Sequence, residues 1–347
     1  TKKARQLVRT GLTPQQEYGH QVQGASPAQV AHMRKSAKLA ASVGGRMACT
    51  TTALEWALGR GNDPAIRVPV QQLASWSDAW AASGLEARKR YRRAWTRLLP
   101  SLAHHPKRWL VTKGPMSATI STLLDLGWRP IAPDKWLVDS GGCKYEALLG
   151  VGPFAKAQVL RAAQETAVSH LWAMAANHCC GSGLEEGPPS LRAARAAKAD
   201  FIKKEEYLEA AAVEFVATGT HRERVQKEGG GEVRNEELCV RCSGRQLNTP
   251  KHQAWECPAN GEMTDERVTA SERWEEQALE EWDKWSCLWG RGLIPASKLG
   301  SASQPDFGEV KTWTTAGFHE MAARVGCGHT DGPGGSAEVP PAPTKLQ

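Results

Sequence analysis

Apolar residues recur at helical spacing through most of the chain, with few strand-like stretches between them. The pattern is sharpest after Ser26, where Val30, Met33, Ala37 and Ala40 share one face. Ser26 and Gln29 form a capping-box pair there, Pro27 suits the first helical position, and Gly44-Gly45 offers a stop. The spacing predicts a second helix over 70–82, with Leu73, Trp76 and Trp80 on one side. A third is predicted over 85–99, ended by Pro100, with Tyr91, Trp95 and Leu98 on its apolar side. Residues 108–111 read as a short extended piece, and Gly114-Pro115 opens a Ser/Thr-rich helix closing at Leu126-Gly127-Trp128. A small strand is expected within 138–146.

Two long Ala-rich helices follow, over 153–178 and 191–217, separated by a flexible 181–189 segment. Gly229-Gly230-Gly231 reads as a hinge. A last helix over 270–288 places Trp274, Trp282, Trp285 and Trp289 mostly along one side, and a stripe of this kind reads as core. Beyond Gly290 the pattern is loop-like, and 332–343 has the composition of a disordered tail. The fold class expected is mainly α: helical segments, a small loop-rich zinc-binding module and a disordered C-terminal tail. The expected divisions are 1–105, 106–228, 229–290 and 291–347.

A chain of 347 residues, 41% hydrophobic, has room for two or three domains, although 33 glycines imply small, interrupted cores. No apolar run nears the roughly 20 residues of a membrane span. There is no charged-then-apolar leader, and the chain opens on Thr1, as a fragment or processed product would. The expectation is a soluble, intracellular protein, nuclear or cytoplasmic, neither secreted nor membrane-bound.

The formal charge of +7 is unevenly spread. Between Arg88 and Lys113 there are nine basic residues and no acidic one, whereas 265–283 holds eight acids against two bases. Arg88, Lys89, Arg90, Arg92, Arg93 and Arg97 would lie on about three turns of one helix. Laid along a phosphate backbone, such a helix would bind RNA or DNA without regard to sequence. The alternative is a solvated face with Tyr91, Trp95 and Leu98 in the core.

Nine cysteines are too sparse for a disulfide framework. Cys239, Cys242, His252 and Cys257 instead follow the spacing C-x2-C-x9-H-x4-C. Zinc favours four soft or borderline ligands in a tetrahedron, and a complete set leaves no open position for reactive water, so the expected zinc is structural. Gly244 helps the chain turn back after the second cysteine, and Trp255 would pack on the site or stack on a base. A redox cysteine pair, or four unrelated residues, would use the same letters. His178-Cys179-Cys180 reads as helix-end packing, because adjacent cysteines disfavour sharing one tetrahedron. Cys49 and Cys143 have no neighbouring base, and 150–152 lacks the pattern of a phosphate loop.

The stretch from Glu237 to Pro258, with Thr249-Pro250 between its halves, resembles the cysteine-histidine module downstream of the polymerase in non-LTR (LINE-type) retrotransposon polyproteins. Tyr18-Gly19 and Gly24, before the Ser26 helix, look like the segment after the palm of such reverse transcriptases. His329-Thr330-Asp331-Gly332-Pro333-Gly334-Gly335 is similar to the opening of an RNase H domain, and the order of the three matches the polyprotein. The resemblance implies a reverse transcriptase/RNase H polyprotein fragment with Asp331 as a candidate catalytic carboxylate.

Polymerase chemistry needs paired aspartates to hold two metal ions, and the sequence contains no Asp-Asp. RNase H chemistry needs several spaced carboxylates, and only 16 residues follow Asp331. The expected function is therefore non-catalytic, zinc-stabilised binding of RNA or DNA. The alternatives are an accessory part of an RNA–DNA hybrid ribonuclease or RNA-directed DNA polymerase, and a zinc-stapled structural or protein-interaction module.

Overall fold

The computed structural model describes residues 2–43, 45, 47–140, 143–149, 152–220, 238–239, 241–242, 246–264 and 269–299. These residues form a mainly helical body with one small sheet and a cysteine-rich loop unit. The expected hinge at 229–231 and tail at 332–343 lie outside the described residues.

The Ser26 helix forms as its sequence dictates. Helix α1 (Pro27–Ala41) is capped by Ser26, whose Oγ accepts from the Gln29 amide at 3.2 Å while Gln29 Oε1 accepts from the Ser26 amide at 2.9 Å. Both contacts are solvent-exposed, so Ser26→Ala is expected to cost about 1 kcal/mol, read as a shifted urea midpoint with unchanged slope. Met33, Ala37 and Ala41 form the buried stripe.

Helix α2 (Thr50–Leu58) is buried along most of its length. Helix α3 (Pro64–Ala81) starts six residues before the expected 70, because Asp63 caps it and Pro64 takes its first position. Burial of Ile66 and Val68 carries it through Pro69. Helix α4 (Leu85–Ala103) likewise runs past its expected stop at Pro100, and its last turn buries Leu102. Residues Arg108–Val111 form a helical turn rather than an extended piece, with Leu110 exposed and no strand beside it. Helix α5 (Pro115–Asp125) follows, as expected.

The sequence reading missed most of the sheet. Strands β1 (Arg129–Ala132), β2 (Lys135–Ser140) and β3 (Cys143–Leu148) form an antiparallel meander in that order. The single strand expected within 138–146 takes in the end of β2 and most of β3, where Ser140 pairs with Cys143. Trp136 and Val138 point inward from β2 onto helix α6 (Pro153–Ala176). Two of the buried indoles find acceptors, Trp76 Nε1 on Pro133 O at 2.8 Å and Trp128 Nε1 on Asp139 O at 3.1 Å.

The expected helix over 191–217 is two, α7 (Arg192–Lys203) and α8 (Tyr207–Ala217). The chain reverses at Glu205, which has a left-handed φ of +62°. Reversal lets Ala194 and Ala197 face Ala210 and Val213 in one core.

That core draws on residues from Val8 to Leu293, and so on both sides of position 105. Distant segments close it. Cys49 N donates to Thr218 O at 2.9 Å, and Trp56 Nε1 to Glu214 Oε2 at 3.0 Å. Arg291 is wholly buried, its Nη2 donating to Thr52 Oγ1 at 2.7 Å and Ala217 O at 2.9 Å. The last α-helix among the described residues, α9 (Glu275–Trp289), follows a short turn at Glu272–Trp274 and is kinked at Trp285 (φ −134°, ψ 51°). Trp289 is buried, while Trp274, Trp282 and Trp285 are partly buried around it.

Candidate metal centre

Four side chains from two short segments converge beside α9. The first segment is a reversed turn. Leu238 pairs with Leu247 in a one-residue antiparallel bridge, and Cys239 N donates to Gln246 O at 2.8 Å. That crossing holds Cys239 and Cys242 at the tip, with Cys242 Sγ 3.8 Å from Cys239 O. Gly244 lies outside the described residues.

The second segment is a single helical turn, His252–Glu256. Thr249 starts it: its Oγ1 accepts from the His252 amide at 3.0 Å, and Pro250 follows. This explains the Thr-Pro pair before the histidine. The turn aims His252 Nε2 at Cys242 Sγ, 3.4 Å away, and delivers Cys257 to within 3.9 Å of Cys239 Sγ.

All four ligand atoms lie within 4.8 Å of one another, close enough to bind a metal ion. The edges suit a tetrahedron. With bonds of about 2.3 Å to sulfur and about 2.0 Å to nitrogen, tetrahedral angles place two sulfurs about 3.8 Å apart and a sulfur and nitrogen about 3.5 Å apart. Cys239, His252 and Cys257 are buried and Cys242 half-buried. Burial pushes the Cys257 thiol up to about 11, with the neighbouring Cys239 adding to the rise, and burial lowers the His252 imidazole. A thiol so placed keeps its proton until a metal ion displaces it, and three sulfurs with one imidazole nitrogen form a donor set that fits a metal ion.

Arg241 straps the two segments together, a role the sequence did not signal. Its Nη1 donates to Gln253 O at 3.2 Å and its Nη2 to Asn260 Oδ1 at 2.6 Å. Trp255, one of the candidate nucleic-acid contacts, is buried: its indole meets Trp289 edge-on at 5.9 Å and its Nε1 donates to Trp289 O at 3.1 Å. A ring so enclosed packs the unit onto α9 and presents no face to a base.

The six basic residues on α4 divide into two sets. Arg88 donates to Trp80 O and Ala81 O, both at 3.2 Å, and lies over the Trp80 ring. Arg92 pairs with Asp134 at 2.9 Å over the same ring, and Lys89 pairs with Glu86 at 2.8 Å. Arg90, Arg93 and Arg97 are exposed and have no ion pair among the described residues. They stand at i, i+3 and i+7, a single stripe about 10 Å long. Tyr91, Trp95 and Leu98 turn the other way, against the core.

Asp331 lies outside the described residues. Cys49 and Cys287 are buried, and burial pushes the Cys287 thiol up to about 12, as suits a small core residue. No helix among the described residues is long and apolar enough to cross a membrane. No protein-family model, curated protein or solved structure matches the chain.

Proposed function

We propose that the protein binds RNA or DNA through the arginine stripe of α4, without reading sequence, and that zinc at Cys239, Cys242, His252 and Cys257 holds its C-terminal unit folded. The observation carrying the binding reading is that, among the described residues, Arg90, Arg93 and Arg97 keep their charge uncompensated while their neighbours are tied down. Uncompensated, regularly spaced guanidinium groups on a rigid helix suit phosphate, which takes them in planar, two-pronged hydrogen bonds. Zinc is favoured over other divalent ions by three thiolates and one imidazole, and its role is structural because four protein ligands fill the tetrahedron. The order of segments and the spacing of the four ligands support descent from a non-LTR retrotransposon polyprotein. No step of catalysis is assigned to this chain.

Three phosphate contacts predict a log–log salt slope of about −2 on single-stranded RNA and about −3 on duplex DNA. Fluorescence anisotropy across a salt series measures it. Replacing all three arginines, as Arg90→Gln, Arg93→Gln and Arg97→Gln together, should bring the slope close to zero without shifting thermal unfolding. Binding that is absent at low salt, or a slope indifferent to the triple change, would remove the proposal.

A further inference from the structure

Strand β3 stands at one edge of the sheet, whose order is β1-β2-β3. One side of its backbone is spoken for. Leu149 N donates to Asp134 O at 2.7 Å, one step beyond the pairing of Lys135 with Leu148. Hydrogen-bonded pairs alternate along an antiparallel ladder, so Cys143, Tyr145 and Ala147 turn their N–H and C=O groups to β2. The backbone groups of Lys144, Glu146 and Leu148 point the other way, where no strand among the described residues meets them. Such an edge is a template for a further strand.

The side chains decide which strand it suits. Tyr145 and Ala147 lie opposite Val138 and Trp136, on the face that α6 covers, and α6 packs mainly beneath β2. Lys144 and Glu146 are exposed on the opposite face. Charges often guard an edge against pairing. These two are already matched within the sheet, Lys144 to Asp139 at 3.3 Å and Glu146 to Lys135 at 2.7 Å. Laid antiparallel on a copy of itself, β3 must set outward-turned residues opposite outward-turned residues. Centring the pairing on Lys144, or on Glu146, brings like charges face to face, which is unfavourable. The register between those two sets Tyr145 opposite Tyr145. Lys144 of each copy then meets Glu146 of the other. Asp139, Lys144, the partner's Glu146 and the partner's Lys135 alternate in sign across the joined sheet.

We propose that the protein associates with a second copy of itself through β3, in the register centred on Tyr145. The copies are related by a two-fold axis through that residue, so the same strand serves both sides. About four new backbone hydrogen bonds form, because each Lys144–Glu146 pair exchanges its N–H and C=O groups. The Tyr145 side chains meet in a non-hydrogen-bonded pair, where cross-strand neighbours come closest.

Sedimentation of the full-length protein over a concentration series should show a monomer–dimer equilibrium. Glu146→Lys and Lys144→Glu should each weaken it about ten-fold, since every pair across the axis becomes like-charged. Mixing these two variants should restore association as a heterodimer, a rescue that misfolded chains would not give. Register is read separately, by oxidising Tyr145→Cys in a Cys143→Ser background and mapping the disulfide by mass spectrometry. The two Cα atoms at position 145 would lie about 4.5 Å apart, within disulfide reach. Lys144→Cys in the same background should not link, because its Cα atoms would be about 8 Å apart. A protein that stays monomeric at every concentration, a mixture that does not associate, or equal linking at 144 and 145 would overturn the assignment.

Discussion

Chelating zinc from the purified protein is expected to unfold the unit around Cys239–Cys257 while helices α1–α8 stay intact. Structural zinc contributes on the order of 10–16 kcal/mol in small zinc-finger units near neutral pH. Among the described residues this one is held by a one-residue bridge, the Arg241 strap and the packing of Trp255 in a small cluster with Trp289. Burying a single large side chain gives roughly 1.5–3 kcal/mol, far below what is lost with the metal. Elemental analysis should find one zinc per chain, absent in Cys242→Ser. Hydrogen exchange should show protection lost across 246–263 in both the chelated and the mutant protein. Undiminished protection after chelation would mean that the four side chains hold no metal of structural weight.

Asp63→Ala is the second change with a large expected effect, about 4–6 kcal/mol. Asp63 is buried and serves two helices at once. Its Oδ1 accepts from the Ala65 amide at 2.9 Å, capping α3, and its two oxygens take Arg34 Nε at 2.9 and 3.1 Å and Nη2 at 3.0 Å. Loss of the cap costs about 1 kcal/mol. The larger part is the Arg34 guanidinium left in the interior without a countercharge, about 3–5 kcal/mol. A domain with about 5–15 kcal/mol in total would be left marginal. Urea titration measures the loss. The paired change Arg34→Met with Asp63→Ala should recover much of it, because no charge is then stranded. A single-variant cost under about 1 kcal/mol would show that the ion pair contributes nothing beyond the cap.

How much of this was legible from the sequence depended on whether each signal was local. The α1 helix was, because Ser26, Pro27 and Gln29 act within four residues of one another. The clustering of Cys239, Cys242, His252 and Cys257 was too, because a metal-binding set fixes residue types and spacings together. The end of α4 was not: Pro100 is a local breaker, and the burial of Leu102 that overrides it depends on a distant surface. Strand β2 hid because Trp136 and Val138 alternate correctly but a window on 138–146 takes in the end of β2 and most of β3 as one strand. The break at Glu205 carried no glycine or proline to announce it. Among the six basic residues of the α4 cluster, composition could not separate those bound to Trp80, Asp134 and Glu86 from those left facing solvent.

The closure through Arg291 bears on how the chain comes to be made. Its guanidinium reaches Thr52 across 239 positions of sequence. At about 5–20 residues per second on a ribosome, roughly 12–48 seconds separate the synthesis of these two partners. Through that interval the apolar surface of α2 has been translated but lacks the last group that seals it. The core is therefore closed at α2 only after the segment bearing Arg291 has cleared the exit tunnel.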